Sequence, residues 1–117
     1  MSEHIVIAED DEDLAFVLRE ALRRQRYEPE VAPTAGALLD KLKATAYDLI
    51  LLDVRLPDMD GFTVADRLTS ANGSSPAVIV TSSSDDPLYP ERAQSSGARG
   101  FVAKHDVCGA ALDRLLG

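Results

Sequence analysis

The chain has 117 residues, enough for one domain whose hydrophobic core holds the fold without disulfide or metal staples. Its 12 Lys and Arg against 20 Asp and Glu give a formal charge of −8, with 45% hydrophobic and 27% charged residues; this is a globular composition, and without a basic patch such a surface repels nucleic-acid phosphate and anionic lipid. A single cysteine, Cys108, excludes an intramolecular disulfide and a cysteine zinc site, and neither a signal peptide nor an apolar run of roughly 18 to 20 residues is present, so a cytoplasmic protein is expected.

Strand-length apolar runs alternate with helical periodicity along the whole chain. Ile5-Val6-Ile7-Ala8 is apolar on both faces, as in a strand covered on two sides. From Asp13, the residues Leu14, Val17, Leu18, Ala21 and Leu22 mark one face of a helix ending near Arg26. Tyr27 to Ala32 is a second strand, and after Pro33-Thr34 the residues Leu38, Leu39 and Leu42 mark a second helix. Tyr47 to Asp53 is the most apolar run and the expected central strand. Val54 to Gly61 has the Pro, Asp and Gly content of a loop. Phe62, Ala65 and Leu68 mark a third helix closed by Asn72-Gly73, and Ala77 to Thr81 a fourth strand. Pro87 and Pro90 confine a fourth helix to about Leu88 to Ser95. Gly97 to Lys104 holds a fifth strand, and Asp106 caps a last helix with Val107, Ala111, Leu112 and Leu115.

Five strand–helix units predict an α/β fold, a parallel sheet between two helical layers. Ligands bind such sheets beyond the carboxyl ends of the strands, where the strand order reverses. Those ends carry Glu9-Asp10-Asp11, Asp53, Thr81-Ser82 and Lys104. Carboxylates, a hydroxyl and an ammonium on one rim suit a hard cation and a phosphate: Mg²⁺ takes a few carboxylate oxygens plus phosphate oxygens, Asp can accept a phosphoryl group, and Lys supplies compact positive charge.

These residues, in this order, resemble the receiver domain of two-component response regulators, the CheY-like family. The resemblance rests on Glu9-Asp10 after the first strand, Asp53 with Pro57 and Gly61 in DVRLPDMDG, Thr81 ending the fourth strand, and Phe101 and Lys104 in GARGFVAK. The last two motifs are worded like receivers of the NarL and LuxR type. The resemblance spans residues 1–117 as a single receiver domain, and implies the doubly wound, flavodoxin-like order 2-1-3-4-5. It further implies that Asp53 is the phosphoacceptor and that Mg²⁺, with Mn²⁺ as a substitute, is held by Glu9, Asp10, Asp53 and the backbone carbonyl of Arg55. In the same way Lys104 would contact the phosphate, Thr81 would sense it through its hydroxyl, and Phe101 would be the switch aromatic altering a face made by helix four, strand five and helix five. The implied partners are a histidine kinase or phosphotransfer protein, an output partner the sequence does not name, and a second copy if phosphorylation drives dimerisation; nucleic acid and membrane are not among them. Such a domain is a switch with self-catalysed phosphoryl transfer and slow autodephosphorylation rather than an enzyme.

Each residue also has a plainer reading. Asp11, Glu12 and Asp13 fit a helix start favoured by the dipole, Thr81 an ordinary strand residue, Phe101 core, and Lys104 a surface lysine. His4 and His105 are expected to be exposed and without a role, and Cys108 to be a small packed residue. His105 stands after Lys104 where many receivers have proline; this predicts a trans peptide or a looser loop there, and a less rigid Lys104. Two alternatives remain: a degenerate receiver used only for docking, and a Mg²⁺-dependent phosphohydrolase, which would need an acid two residues after Asp53 where Arg55 stands. A calcium loop fails because aligning Gly61 with its invariant glycine puts Leu56 and Arg67 at ligand positions, and a Rossmann site fails for want of a Gly-rich turn after the first strand. No DNA-binding segment follows the last helix, as in a single-domain regulator or the receiver portion of a longer protein.

Overall fold

Leu49-Ile50-Leu51-Leu52-Asp53 is apolar at successive positions, a pattern that only a strand covered on both faces tolerates. It forms the central strand β3 (Leu49–Asp53), buried at every position. The computed structural model describes residues 3–25, 27–70, 76–84, 86–107 and 114. Around β3 lie β1 (Glu3–Ala8), α1 (Glu12–Arg23), β2 (Tyr27–Ala32), α2 (Ala35–Ala44), α3 (Gly61–Ser70), β4 (Ala77–Ser82), α4 (Tyr89–Ser95) and β5 (Gly100–Ala103), then a 3₁₀ turn over Lys104–Asp106. The strands pair in parallel in the order β2-β1-β3-β4-β5, the order expected from the sequence.

Alternation along the strands divides the core between the two sides of the sheet. Val6, Ile50, Leu52, Val78 and Val80 pack against Leu38 of α2, Phe62 and Ala65 of α3, and Tyr89 and Ala93 of α4. Ile5, Ile7, Leu49, Leu51, Ile79 and Val102 pack against Leu18 and Leu22 of α1. Each fully buried Leu or Ile contributes about 1.5–3 kcal/mol of transfer free energy, and this two-sided core holds the strand ends in register.

Several boundaries differ from the sequence reading for local reasons. α1 is capped by Asp11, whose side chain accepts from Leu14 N–H, so it begins at Glu12. Its buried stripe is Ala15, Leu18 and Leu22; Val17, expected on that stripe, is 59% exposed beside Phe16 at 56%, because a step of one residue from Leu18 rotates about a quarter turn off the face. β3 starts at Leu49, since Asp48 instead pairs with His4 through both its backbone and its carboxylate. α4 carries Pro90 in its first turn, where no N–H is needed. β5 starts only at Gly100, because Gly97 takes φ +89° to close α4. The expected cap Asp106 lies in the 3₁₀ turn. Beyond Val107, the last expected helix with Ala111, Leu112 and Leu115 falls outside the described residues, as do Cys108 and Asn72-Gly73.

His4 is not without a partner. Its Nε2 lies 2.7 Å from Glu30 Oε2, its ring 4.7 Å from that of Tyr47, and Glu30 also accepts from Tyr47 Oη at 3.0 Å and pairs with Lys41 at 3.5 Å. His105 is exposed as expected and lies 3.5 Å from Asp106. Partial burial works against ionisation of Glu30, but the Tyr47 hydroxyl, Lys41 and His4 together hold its carboxyl below the usual 4.5. That contribution to stability is therefore present above pH 4.5 and lost as pH falls through the lower folded value. Glu30→Gln is expected to flatten the acid limb of a urea-unfolding pH profile by well under about 1 kcal/mol, since the pair is partly solvated; an unchanged limb would refute this.

A Cβ at Gly61 would stand 2.2 Å from Asp53 O and 2.8 Å from Val54 Cα. These are backbone atoms that cannot move aside. Gly61→Ala should cost about 1–3 kcal/mol, read as a lower urea midpoint, and an unaltered midpoint would contradict the close approach.

Candidate functional site

The register places the chemistry. Ala8 is opposite Leu52, Asp53 opposite Thr81, and Ser82 opposite Ala103, so the residues following β1, ending β3 and β4, and following β5 meet at one rim. There they line a cavity of about 300 Å³ made by Glu9, Asp10, Asp11, Asp53, Arg55, Ser82, Ser83, Ser84 and Lys104. No helix among the described residues is long and apolar enough to cross a membrane.

Lys104 holds the centre. Its Nζ lies 2.6 Å from Glu9 Oε1 and 3.1 Å from Asp53 Oδ2, with its side chain only 10% exposed. The Lys104–His105 bond is trans, as expected, for the described residues contain no cis peptide. The looser placement expected of Lys104 is not seen: two carboxylates compensate its ammonium at once. Burial alone would lower its pKa, but Glu9 and Asp53 outweigh that and hold it above the usual 10.5.

Glu9 is 2% exposed. Its Oε2 accepts Asp11 N–H at 3.2 Å. Its Oε1 is buried against the Lys104 ammonium and faces no other donor among the described residues. Burial pushes the carboxyl above the usual 4.5; the Lys104 ammonium and the Asp11 N–H offset part of this, and the neighbouring Asp53 charge adds to it. Asp10, by contrast, is exposed. Glu9, Asp10 and Asp53 each offer an oxygen within 4.8 Å of the others, close enough to share one metal ion.

Asp53 Oδ1 accepts Arg55 N–H at 3.2 Å, which turns the start of the β3–α3 loop over the cavity. Thr81 is buried beside Asp53, and its carbonyl accepts Val54 N–H at 2.9 Å. Phe101 is half-buried on the α4 side, its ring 5.9 Å from Tyr89, which in turn lies 5.5 Å from Phe62. Of the residues singled out in the sequence, Glu9, Asp10, Asp53, Arg55 and Lys104 line this one cavity, while Thr81 and Phe101 lie outside its lining. The sequence reading had Ser82 at the rim but missed Ser84 as a wall of the cavity, whose N–H donates to Ser82 Oγ at 3.0 Å; a serine run directly after a buried strand was the available signal. It also missed Tyr89 as the neighbour of Phe101, which no local pattern announced.

Residues 5–109 match the family model described as the response regulator receiver domain. The transcriptional regulatory protein RprY of Bacteroides fragilis is 38% identical over 77 residues, 66% of this chain and 33% of that protein. The response regulator ArlR of Staphylococcus haemolyticus is 35% identical over 82 residues, 70% of this chain and 37% of that protein. The chain thus spans about a third of the length of these two curated relatives. Among solved structures, the receiver domain of the Francisella response regulator 1452 superposes with a TM-score of 0.85 over 98% of this chain and 94% of that one at 21% identity, a likeness of fold.

Because the folded value of Glu9 is raised, its ionisation opposes folding as pH climbs through that value from below. Metal-free Glu9→Gln should therefore melt above wild type at pH near 7, with the gap closing as pH falls toward 4.5. A lower melting temperature for the variant in chelator at neutral pH would show that the Lys104 contact outweighs the burial.

Proposed function

The chain belongs to the response regulator receiver family, the receiver domains of two-component signalling, and from that premise we propose that Asp53 accepts a phosphoryl group in a divalent-cation-dependent step. The observation that carries this reading is the convergence of Glu9, Asp10, Asp53 and Lys104 in one cavity. Receiver domains interact with histidine kinases or phosphotransfer proteins, so the donor proposed is a phosphohistidine on such a partner, or a small phosphodonor.

Glu9, Asp10 and Asp53 each bring a carboxylate oxygen within 4.8 Å of the others, and Lys104 pairs with two of the three. An all-oxygen set with surplus negative charge fits Mg²⁺, or Mn²⁺ in its place. The residues that would hold it are Glu9, Asp10, Asp53 and the backbone carbonyl of Arg55. When bound, the ion supplies positive charge to the phosphoryl oxygens.

The chain's own residues do the rest. An Asp53 oxygen forms a bond to phosphorus as the phosphorus–nitrogen bond of the donor breaks, and the imidazole leaves with the electron pair. Lys104, already at Asp53 Oδ2, is placed to follow the transferred charge. Little covalent work is needed beyond this; positioning and electrostatics carry the rate. The Thr81 hydroxyl would then turn to the new phosphoryl oxygens, and Phe101 would move with it, altering the face of α4 and β5 together with the fifth helix expected beyond them. The output is a change of binding surface, a population shift. The phosphohydrolase alternative is disfavoured by Arg55, a cation at the position where an acid is required. A docking-only role is disfavoured by the paired Lys104 and Asp53.

Incubation with a small acyl phosphate and Mg²⁺ should add one phosphoryl group by intact mass, removed by hydroxylamine and absent from Asp53→Ala. No mass gain from either a kinase or a small donor would end this reading.

A further inference from the structure

The loop between β3 and α3 is fastened at its base. Val54 N–H donates to Thr81 O at 2.9 Å and Gly61 N–H to Val54 O at 2.7 Å, while Arg55 and Asp60 form an antiparallel bridge. Asp60 turns its carboxylate onto the helix it precedes, accepting Phe62 N–H at 2.7 Å and Thr63 N–H at 3.3 Å. These bonds fix the internal shape of the loop, and the β1–β3 pairing ends at Ala8 and Leu52, before the β1–α1 loop and Arg55 on either side of the cavity, whose fine placement it leaves to other contacts.

Asp58, exposed near the tip, provides that placement. Its Oδ1 accepts Ala35 N–H at 2.8 Å and its Oδ2 accepts Gly36 N–H at 3.0 Å. Both donors lie in the first turn of α2, which has no acid of its own. The helix's own cap, Thr34, accepts Ala37 N–H at 2.9 Å, so a charge-assisted fork from a distant loop satisfies two further donors. Those two N–H groups hold the Asp58 carboxyl below the usual 3.8. The same turn of α2 is tied to the opposite side of the cavity. It follows β2, whose last residue, Ala32, accepts Glu9 N–H through its carbonyl at 3.0 Å.

A path therefore runs from Glu9 by a backbone hydrogen bond to Ala32, along the chain to the start of α2, by two hydrogen bonds to the Asp58 carboxylate, and back along the loop to Arg55. We propose that Asp58 is a positioning residue for the cation site, setting through the first turn of α2 the spacing between the Glu9-Asp10 loop and the Arg55 carbonyl; this rests on the receiver reading above. Mg²⁺ tolerates little error in ligand spacing, because it demands near-octahedral geometry. Removing groups that only orient metal ligands typically weakens binding about 10- to 100-fold.

Calorimetric titration with Mg²⁺ alone tests this. Asp58→Ala should weaken binding about tenfold, Asp58→Asn less because one oxygen acceptor remains, and Thr34→Ala less than about twofold. Thr34→Ala is the control: it removes a cap from the same turn and leaves the tether. Metal-free protein gives a second readout, in which the backbone amide signals of Val54 and Arg55 move in Asp58→Ala but not in Thr34→Ala. Unchanged affinity in Asp58→Ala, an equal loss in Thr34→Ala, or unmoved Val54 and Arg55 signals would overturn the role of Asp58 alone. A wild-type protein that binds no Mg²⁺ would overturn the cation site itself.

Discussion

Lys104 between Glu9 and Asp53 is the interaction on which the rim of this protein depends. Four acidic residues, Glu9, Asp10, Asp11 and Asp53, line a cavity of about 300 Å³ with only Arg55 and Lys104 as cations, so acids outnumber bases there. The cluster is divided: the two carboxylates favour the Lys104 ammonium, but Glu9 is buried with its ionisation opposed, and desolvating such groups is costly. The cost is met by the apolar strands beneath. Ile5, Ile7, Leu49 to Leu52, Ile79 and Val80, each at most 1% exposed, hold β1, β3 and β4 in a register that leaves the carboxylates no route apart. On the proposed reading, the surplus negative charge of the site is what a divalent cation would neutralise, so that a phosphoryl group can follow.

The response has a defined way out. Asp53 and Thr81 are register partners, and so are Val80 and Phe101 on the neighbouring strand pair. The Phe101 ring stacks toward Tyr89, Tyr89 toward Phe62, and the Arg92 guanidinium sits 4.3 Å over the Phe62 ring. On the proposed reading, a turn of Phe101 changes its contact with Tyr89, the first residue of α4. Because Phe62 lies in the first turn of α3, the same aromatic row also reaches the end of the β3–α3 loop, in which Arg55 stands. The rim and the α4 surface are joined through packed rings rather than through charge.

What the sequence made legible was set by periodicity and by strand ends. The β-branched and leucine runs located β1, β3 and β4, while β2, weak in apolar residues, and β5 were read from their place in the alternation; the strand-end rule put Glu9, Asp53, Thr81 and Lys104 on one rim. What it could not show were choices made between elements. Val17 fits the helical period as well as Ala15 does, and only the direction in which α1 meets the sheet decides that Ala15 is buried and Val17 is not. His4 reads as a stray polar residue until β2 brings Glu30 beside it in the adjacent strand. Gly97 reads as the start of β5, yet its positive φ and its packing on Thr69 make it the end of α4.

The acidity of the chain divides along the same line. A formal charge of −8 suggests a surface tuned for repulsion, but many of the acids are engaged with backbone N–H groups. Asp11 caps α1, Asp48 accepts from His4 N–H, Asp60 caps α3, and Asp86 accepts from Leu88 N–H. A carboxylate is the strongest acceptor available to an orphan N–H at a helix start, and it complements the dipole there. In a doubly wound sheet the loop preceding each helix is also the loop that builds the rim. The residues that cap the helices and those that line the site are therefore drawn from the same short segments: Glu9 and Asp10 stand next to the cap Asp11, and Asp53 is followed within its loop by Asp58 and Asp60. Acid-rich loops are thus required twice over in this architecture, once by helix termination and once by the cation chemistry proposed for the rim, and the net charge follows from both.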